Sequence, residues 1–370
     1  MKKIFFSFVA LAALAACSKS EVAYEASAEI GFAPAVKNVT KAAMAEGATL
    51  NTTDNLGIWA FWNGVNGAVE ESNATYANYT DSYLANALFV NRNAISWGGQ
   101  TSYPWPTNGA LVFAGYNKPA GATFTAEYDG LVGNTMTFND YTQSTDLANT
   151  FDLCWFGKTS RSYNNRANSE PVAVTMSHAL TWITIKVKGD SNTAPTGEGA
   201  LPWKVTKATL LDVNTVGTTG TCIFDSADGN KAKATWDVSE EEEDISNIIV
   251  KETPATKEDG VIVSGGTPLT QGGVVYESTA NGLVVIPQTP VSLEIEYIYP
   301  VSSVYKEGKT TVNLTLEGTK KEDGTTENTK INTWLSGTHY TYTIVFKANE
   351  ILVAPSYGTW TESNQSVTVE

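Results

Sequence analysis

The chain has few charged residues, fewer basic than acidic ones, and almost no histidine or cysteine. Asp, Glu, Lys and Arg make up 17% of its 370 residues, against roughly 25% in average soluble domains. The 24 Lys and Arg are outnumbered by 39 Asp and Glu, so the formal net charge is −15. Because phosphate binding requires clustered basic side chains, this balance argues against nucleic acid as a partner. Two isolated histidines and three cysteines leave little room for a His-based metal site, and the composition disfavours a metalloenzyme.

Catalytic and cofactor motifs are also missing from the sequence. No G-x-S-x-G, H-E-x-x-H, C-x-x-C, Walker A or G-x-G-x-x-G pattern occurs. His178 and His339 are each expected at the start of a strand, and no nucleophile or orienting acid lies in the local sequence, which favours a structural role. The acidic run Glu240 to Asp244 lacks the spacing of a calcium loop and indicates a solvated loop. We therefore expect a protein that is not an enzyme, with no catalytic, cofactor-binding or metal-binding residue, although a glycosidase-type carboxylate pair can form from residues far apart in sequence.

The sequence is rich instead in aromatic residues and in alternating apolar and polar positions. Aromatic residues reach 11%, with 10 Trp and 16 Tyr. Alternation is typical of half-buried antiparallel strands, and it occurs in Ile183 to Val187, Leu293 to Tyr299, Val312 to Leu316 and Tyr340 to Phe346. One short helix is expected near Ser144 to Leu153. Short strands separated by Gly, Asn, Asp and Pro turns predict an all-β protein built of β-sandwiches.

A polar stretch from Arg161 to Pro171 lies between two apolar segments and predicts a boundary between two β domains. A chain of this length is also long enough for about two domains. The expected division is a signal peptide (1–16), a tether (17–28), an N-terminal β-sandwich (29–170) and a C-terminal β-sandwich (171–370).

The N-terminus has the pattern of an export signal. Lys2 and Lys3 precede an apolar run from Ile4 to Ala16, which is shorter than the ~20 residues needed to cross a bilayer. The run ends Leu14-Ala15-Ala16-Cys17, which resembles the lipobox of bacterial lipoproteins; an ordinary signal with a chance cysteine is the alternative. Cys17 is therefore the expected lipidation site, and the membrane is a partner through this anchor. We expect the protein at the cell outer membrane and cell surface.

The other two cysteines, Cys154 and Cys222, lie in apolar, strand-like segments. A disulfide between them is compatible with an extracytoplasmic compartment. Nothing in the sequence brings their Cα atoms within the ~7 Å that a disulfide requires, so two buried free thiols are favoured and their redox state is left open.

Aromatic residues cluster in two places. Trp59, Phe61 and Trp62 form one cluster, and Trp97, Tyr103, Trp105 and Tyr116 form the other. Such rings fill the core of a β-sandwich more often than they stack on sugars. A surface glycan-binding lipoprotein that uses the Trp97–Tyr116 cluster is the alternative function, and it requires these rings to be exposed.

Four segments together resemble the fimbrillin family of Bacteroidetes, the pilins and pilin-like lipoproteins of type V (FimA/Mfa-like) fimbriae. They are ISWGGQTSYPWPTNGALVFAGYNKP (95–119), VAVTMSHALTWITIKV (172–187), LVVIPQ (283–288) and WLSGTHYTYTIVFKANEILVAPSYGTW (334–360). Their order and spacing, with the lipobox, cover nearly the whole mature chain. The resemblance implies two tandem transthyretin-like β-sandwich domains and a structural role as a stalk or tip subunit of a pilus that supports adhesion.

The resemblance also implies assembly by donor-strand exchange. In the family's stalk pilins a protease removes the first strand, and the groove accepts a C-terminal strand of the next subunit, which is a form of β-augmentation. Ala28 to Val36 is similar to the removable strand, with Ile30 and Phe32 facing inward. Lys37 and Lys41, the basic residues that follow it, are the candidate processing sites. Val367 and Val369 mark the candidate donor strand at the C-terminal end, and an ordinary last strand is the alternative there.

One departure from the family concerns the processing site. Well-known members are cut after Arg, whereas the first Arg of this chain is Arg92. Cleavage after Lys and no cleavage at all, as in a pilus anchor subunit, both remain open. The expected partners are further copies of the chain, other pilus subunits, the membrane, and a host or bacterial surface ligand.

Overall fold

The computed structural model describes residues 24–36, 50, 53–63, 81–93, 96–107, 109–162, 171–225, 231–276, 283–316, 330–347 and 351–359. The described ranges are mostly β-strand, and their helical segments are short 3₁₀ turns such as Leu147–Asn149 and Glu242–Asp244. No helix in these ranges has the length and hydropathy needed to span a bilayer. The all-β class is confirmed.

Five residues singled out from the sequence lie outside the described ranges. They are the lipidation residue Cys17, the processing candidates Lys37 and Lys41, and the donor-strand candidates Val367 and Val369. Their proposed roles therefore stay predictions.

The strands up to residue 178 form a closed barrel with two smaller additions. They are β1 (Tyr24–Glu29), β2 (Gly31–Val36), β3 (Asn55–Trp62), β4 (Asp81–Asn93), β5 (Ser96–Gly99), β6 (Pro104–Pro106), β7 (Ala110–Lys118), β8 (Thr125–Tyr128), β9 (Thr135–Thr142), β10 (Cys154–Ser162) and β11 (Val172–His178). The barrel has the order β10-β11-β2-β5-β4-β3-β7 and closes between β7 and β10, while β1 pairs with β6. All barrel pairs are antiparallel except β2 with β11, which is parallel.

The later strands form two facing sheets. The strands of these two sheets are β12 (Thr181–Gly189), β13 (Lys204–Asn214), β16 (Ile245–Glu252), β17 (Thr256–Glu258), β18 (Val261–Ser264), β19 (Thr267–Pro268), β20 (Val274–Tyr276), β21 (Leu283–Val285), β22 (Ser292–Val301), β23 (Val304–Asn313), β24 (Thr338–Phe346) and β25 (Ile351–Thr359). The two other later strands, β14 (Val216–Asp225) and β15 (Lys231–Val238), belong to a separate sheet. One sheet has the order β20-β12-β24-β25, with β21 also on β12; the other has the order β16-β13-β22-β23-β18-β17, with β19 on β13. Buried side chains of both sheets share one core, which confirms a multi-sheet, sandwich-like architecture.

A four-stranded sheet links the two halves of the chain. Its order is β15-β14-β9-β8, so β8 and β9 come from before the expected boundary and β14 and β15 from after it. β11 also follows that boundary, yet it belongs to the barrel. In the described strands, sheet membership changes after His178 rather than near residue 170, and the division at 171 stays a prediction.

Two local expectations differ from the structure. The helix expected near Ser144 to Leu153 is only the 3₁₀ turn at 147–149. The Thr150 hydroxyl donates to the Leu147 carbonyl at 2.9 Å and so takes the place of a backbone donor, and no regular structure follows until β10 begins at Cys154. The alternation from Val312 to Leu316 also extends beyond a strand, because β23 ends at Asn313 and Leu316 makes only an isolated bridge to Ile331.

Candidate assembly site

Strand β2 lies in the barrel between β11 and β5, two strands that are distant from it in sequence. Its register with β11 runs in parallel from Phe32 opposite Val172 to Val36 opposite Met176. On its other side it pairs antiparallel with β5, where Phe32 lies opposite Trp97. Parallel strands require a long crossover rather than a tight turn. β2 is therefore held in the barrel by long-range hydrogen bonds and by packing.

The inward face of this region is fully buried. Ile30, immediately before the strand, is 1% exposed and Phe32 is 0% exposed. The Ile30 backbone N–H donates to the Tyr103 carbonyl at 2.8 Å. Alternate residues of a strand share a face, and Ile30, Phe32 and Pro34 all lie buried on this one.

Phe32 contacts rings from three other strands. Its centroid lies 4.9 Å from Phe89 on β4 and 5.1 Å from Phe113 on β7, both edge-to-face, and 6.3 Å from Phe156 on β10. Edge-to-face pairs add stabilisation beyond the area that they bury. Phe32 thus fills the barrel interior, and removal of β2 would leave an aromatic-lined groove between β11 and β5.

The backbone approach on the β5 side is close. A Cβ atom added at Gly31 would lie 3.3 Å from the Trp97 carbonyl oxygen. The Trp97 indole N–H donates to the Asp54 carbonyl at 2.8 Å, which fixes β5 to the residues before β3. This side of the groove is therefore rigidly supported.

The aromatic cluster at 97–116 faces the core. Trp97, Trp105 and Tyr116 are 0%, 2% and 4% exposed, and the half-buried Tyr103 stacks on Phe89 at 5.3 Å. The three buried rings have no face free to stack on a sugar, and Tyr103 has one face covered by Phe89. The alternative of a glycan site built from this cluster is therefore wrong.

A buried polar cluster lies at the start of β10, where the sequence indicated no site. Cys154 is paired in register with His178, and Asp152 lies two residues before Cys154. His178 Nδ1 lies 2.7 Å from Asp152 Oδ2 and 3.6 Å from Cys154 Sγ. The side chain of Asn117 binds the backbone of both Cys154 and Asp152. Its Oδ1 accepts from the Cys154 N–H at 2.6 Å, and its Nδ2 donates to the Asp152 carbonyl at 2.8 Å.

This cluster does not have the arrangement of a catalytic triad. In a triad the nucleophile and the orienting acid contact different ring nitrogens, whereas here the Cys154 thiol and the Asp152 carboxylate both face Nδ1 of His178. Burial raises the pKa of the Cys154 thiol well above its usual value, so the thiol stays protonated and is a weak nucleophile. The sequence did not indicate the cluster because His178 lies far along the chain from the two other residues.

The remaining sequence-derived residues lie apart from this cluster. The His339 ring stacks on Trp182 with centroids 3.6 Å apart, and its Nε2 lies 2.9 Å from the Thr184 hydroxyl. Burial lowers the pKa of His339 from 6.5 to about 4. Cys222 lies buried on β14, and both Cys154 and Cys222 are free thiols.

Comparison with known proteins assigns the chain to a family. Residues 1–18 match a prokaryotic membrane lipoprotein lipid attachment site. A fimbrial protein from Bacteroides vulgatus is similar in structure, with 17% identity, a TM-score of 0.54, and coverage of 90% of this chain and 99% of that chain.

Two further solved structures are similar at lower TM-scores. A candidate cell adhesion protein from Bacteroides ovatus has 18% identity, a TM-score of 0.45, and coverage of 92% and 100% of the two chains. The tip fimbrial protein Mfa3 from Porphyromonas gingivalis has 11% identity, a TM-score of 0.33, and coverage of 89% and 100%. No curated protein matches the chain. The family described as Fimbrillin-like matches residues 40–360, which is most of the chain, and the chain therefore belongs to the fimbrillin-like family.

Proposed function

We propose that the chain is a structural subunit, stalk or tip, of a type V fimbria, exported as a lipoprotein and assembled by proteolysis-triggered strand exchange. The observation that carries this proposal is the position of β2, a short N-terminal strand that lies between β11 and β5 and whose buried residues fill the barrel interior. A barrel that loses one strand exposes two unpaired edges and a row of pockets, which is the surface that accepts a donated strand. Assembly through this surface would place the chain in a pilus that supports adhesion.

The order of elements along the chain supports β2 as the strand that leaves. β1 pairs with β6 outside the barrel, and β2 follows it directly. Lys37 and Lys41 come next in the sequence. A cut after either lysine separates β1 and β2 from the rest of the chain, and only hydrogen bonds and side-chain packing then hold β2 in place.

The C-terminal residues have the length and pattern of a replacement strand. Ser363 to Glu370 (SNQSVTVE) spans ~26 Å if extended at ~3.3 Å per residue, which exceeds the ~20 Å of a six-residue strand such as β2. Val367 and Val369 are two residues apart, as are Ile30 and Phe32. The valines are smaller than Phe32, so the main-chain hydrogen bonds supply a larger part of the affinity after exchange.

The processing step is tested on filaments sheared from the cell surface. The N-terminal sequence of the incorporated chain should begin directly after Lys37 or Lys41. A Lys37→Gln, Lys41→Gln double variant should stay full-length, lipid-bound and absent from filaments, whereas Lys118→Gln, at an exposed lysine that ends β7, should assemble normally. Filaments whose subunits begin at Cys17 would contradict cleavage after Lys37 or Lys41 and would support the role of an uncleaved anchor subunit.

The donor strand is tested separately. A Val367→Asp, Val369→Asp double variant should be exported and cleaved normally but stay monomeric, because two charges would have to enter an apolar groove. Thr368→Asp is the matched control and should polymerise, because residue 368 would face away from the groove if the segment enters it as a strand. Polymers of normal length from the double valine variant would show that another segment fills the groove.

A further inference from the structure

We propose that Asp152, Cys154 and His178 form a zinc-binding site with three protein ligands at the base of the β10–β11 pair. The site is separate from strand exchange, because it uses neither β2 nor the C-terminal residues.

The sheet itself brings the three ligand atoms together. Cys154 and His178 are cross-strand partners in an antiparallel pair, and side chains of such partners lie side by side on one face. Asp152 is two residues before Cys154 and therefore projects toward the same face. One carboxylate oxygen, Cys154 Sγ and a His178 ring nitrogen all lie within 4.8 Å of one another, and all three residues are buried.

The distances suit zinc after a small rearrangement. A tetrahedral zinc ion has bonds of about 2.3 Å to sulfur and about 2.0 Å to nitrogen and oxygen. These bonds place sulfur and nitrogen about 3.5 Å apart and nitrogen and oxygen about 3.3 Å apart. Cys154 Sγ and His178 Nδ1 are 3.6 Å apart, which matches, while His178 Nδ1 and Asp152 Oδ2 are at the hydrogen-bonding distance of 2.7 Å. The carboxylate needs to move outward by about half an ångström to bind the metal.

The charges around the cluster favour a cation. Asp152 is 8% exposed, and its Oδ1 has no hydrogen-bond partner within the part of the chain that the structure describes. A second buried carboxyl, Asp54, accepts from Asn117 Nδ2 at 3.2 Å, and Asn117 also binds the backbone at Asp152 and Cys154. Asp152 contacts the His178 imidazole, whereas Asp54 is linked to the cluster through Asn117. Buried carboxyl groups are costly to keep charged without a counter-ion.

Zinc binding replaces protons without any redox step. The thiol proton of Cys154 and the proton shared by His178 Nδ1 and Asp152 are released to solvent. Zn²⁺, one thiolate, one carboxylate and one neutral imidazole then sum to zero charge, so the buried site is neutral. The affinity for zinc decreases as the pH is lowered, because protons compete with the metal for the ligand atoms.

A cavity lies beside the segment that leads into the cluster, although its lining does not include Asp152, Cys154 or His178. It has a volume of about 510 Å³, and its lining includes Asp54, Thr150 and Phe151, the last two directly before Asp152. A water molecule that reached the metal from this side would be the fourth ligand beside the three protein ligands.

The test is a metal titration of the full lipidated chain, purified in detergent under reducing conditions and stripped with a chelator. We expect about one equivalent of Co²⁺ to bind with the visible bands of a tetrahedral ion and a thiolate-to-metal charge-transfer band. Zn²⁺ should displace it and raise Tm by several degrees, an effect lost at acidic pH. Cys154→Ser, His178→Gln and Asp152→Asn should each weaken binding by more than about 100-fold, which exceeds the usual effect of residues that only support ligands.

The chain supplies matched controls for each ligand type. Cys222→Ser, at another buried thiol, and His339→Gln, at the other histidine, should bind Co²⁺ as the unmodified chain does. The proposal fails if the unmodified chain binds clearly less than one equivalent, if Zn²⁺ leaves Tm unchanged, or if Cys222→Ser removes the charge-transfer band while Cys154→Ser keeps it. Circular dichroism identifies any variant that does not fold. If a ligand variant does not fold, the number of Co²⁺ equivalents bound by the unmodified chain decides whether the proposal holds.

Discussion

His339 is a single residue whose neutral form the fold requires. Its ring stacks on Trp182 between the strands β12 and β24, and burial lowers its pKa from 6.5 to about 4. Between these pH values the unfolded chain binds a proton at this residue and the folded chain does not. The contribution of neutral His339 to the free energy of unfolding is therefore fully present above pH 6.5, and it is lost as the pH falls through about 4.

We therefore expect His339→Phe, which keeps a stacked ring but cannot titrate, to reduce acid sensitivity. The unmodified chain should lose up to roughly 3 kcal/mol more stability than the variant between neutral pH and pH of about 4. Urea unfolding of both chains across this range measures the difference. An equal difference at every pH would show that His339 does not titrate as its environment implies.

Phe32 gives a second prediction for a single residue. Phe32→Ala in the uncleaved chain should lower the free energy of unfolding by about 3–5 kcal/mol, because it leaves a cavity among three aromatic rings. Val132→Ala, at a residue that is 87% exposed, should change it by less than about 0.5 kcal/mol. Denaturant unfolding compares the two, and a similar small effect from both would mean that Phe32 does not hold β2 in the barrel.

Among the elements, the hairpin of β14 and β15 brings two glycines, Gly217 and Gly220, against the Trp236 ring. A Cβ atom added at Gly220 would lie 2.7 Å from two atoms of the Trp236 ring. That ring is fixed because its indole N–H donates to the Ala179 carbonyl at 2.8 Å. Gly220→Ala should therefore destabilise the chain by about 1–3 kcal/mol.

Gly272→Ala is the matched control for this hairpin, since nothing lies within 4 Å of a Cβ atom at Gly272. Its melting temperature should stay close to that of the unmodified chain, while that of Gly220→Ala falls. If both variants melt together with the unmodified chain, the Trp236 ring can move aside and the close approach has no structural role.

The elements also show which features can be read from sequence. β24 was predictable because one face of the strand meets the core, so burial alternates from Tyr340 to Phe346. β12 was predictable from its apolar alternation, and Ile183, Ile185 and Val187 are all buried, although Thr184 is buried as well. In β22 the alternation breaks after Ile295, and Ile298 is buried in place of Tyr297, beside a bulge in β13. The parallel pairing of β2 with β11 and the Asp152–Cys154–His178 cluster were not predictable, because both join residues whose contact leaves no local pattern.

At the scale of the whole molecule, shared sheets join the two parts of the chain, before and after residue 171, that the sequence pattern separates into domains. β9 pairs with β14 along most of its length, and β11 lies between β10 and β2 in the barrel. Gln143, just after β9, donates its backbone N–H to the Thr215 carbonyl at 2.7 Å and accepts from the Ile286 N–H through Oε1 at 3.0 Å. Each half therefore completes the hydrogen bonding of the other.

This sharing of strands predicts cooperative unfolding of the chain. Far-UV circular dichroism and tryptophan fluorescence should report one coincident transition in urea, and a fragment that ends at Ser162 should not fold, because its barrel lacks β11 and its β9 lacks a partner. Adding the segment from 163 to 370 as a second chain should restore the native spectrum, since the missing strands then return. A cooperative transition in the fragment alone would instead show that the barrel closes without β11, and that the N-terminal half is a domain in its own right.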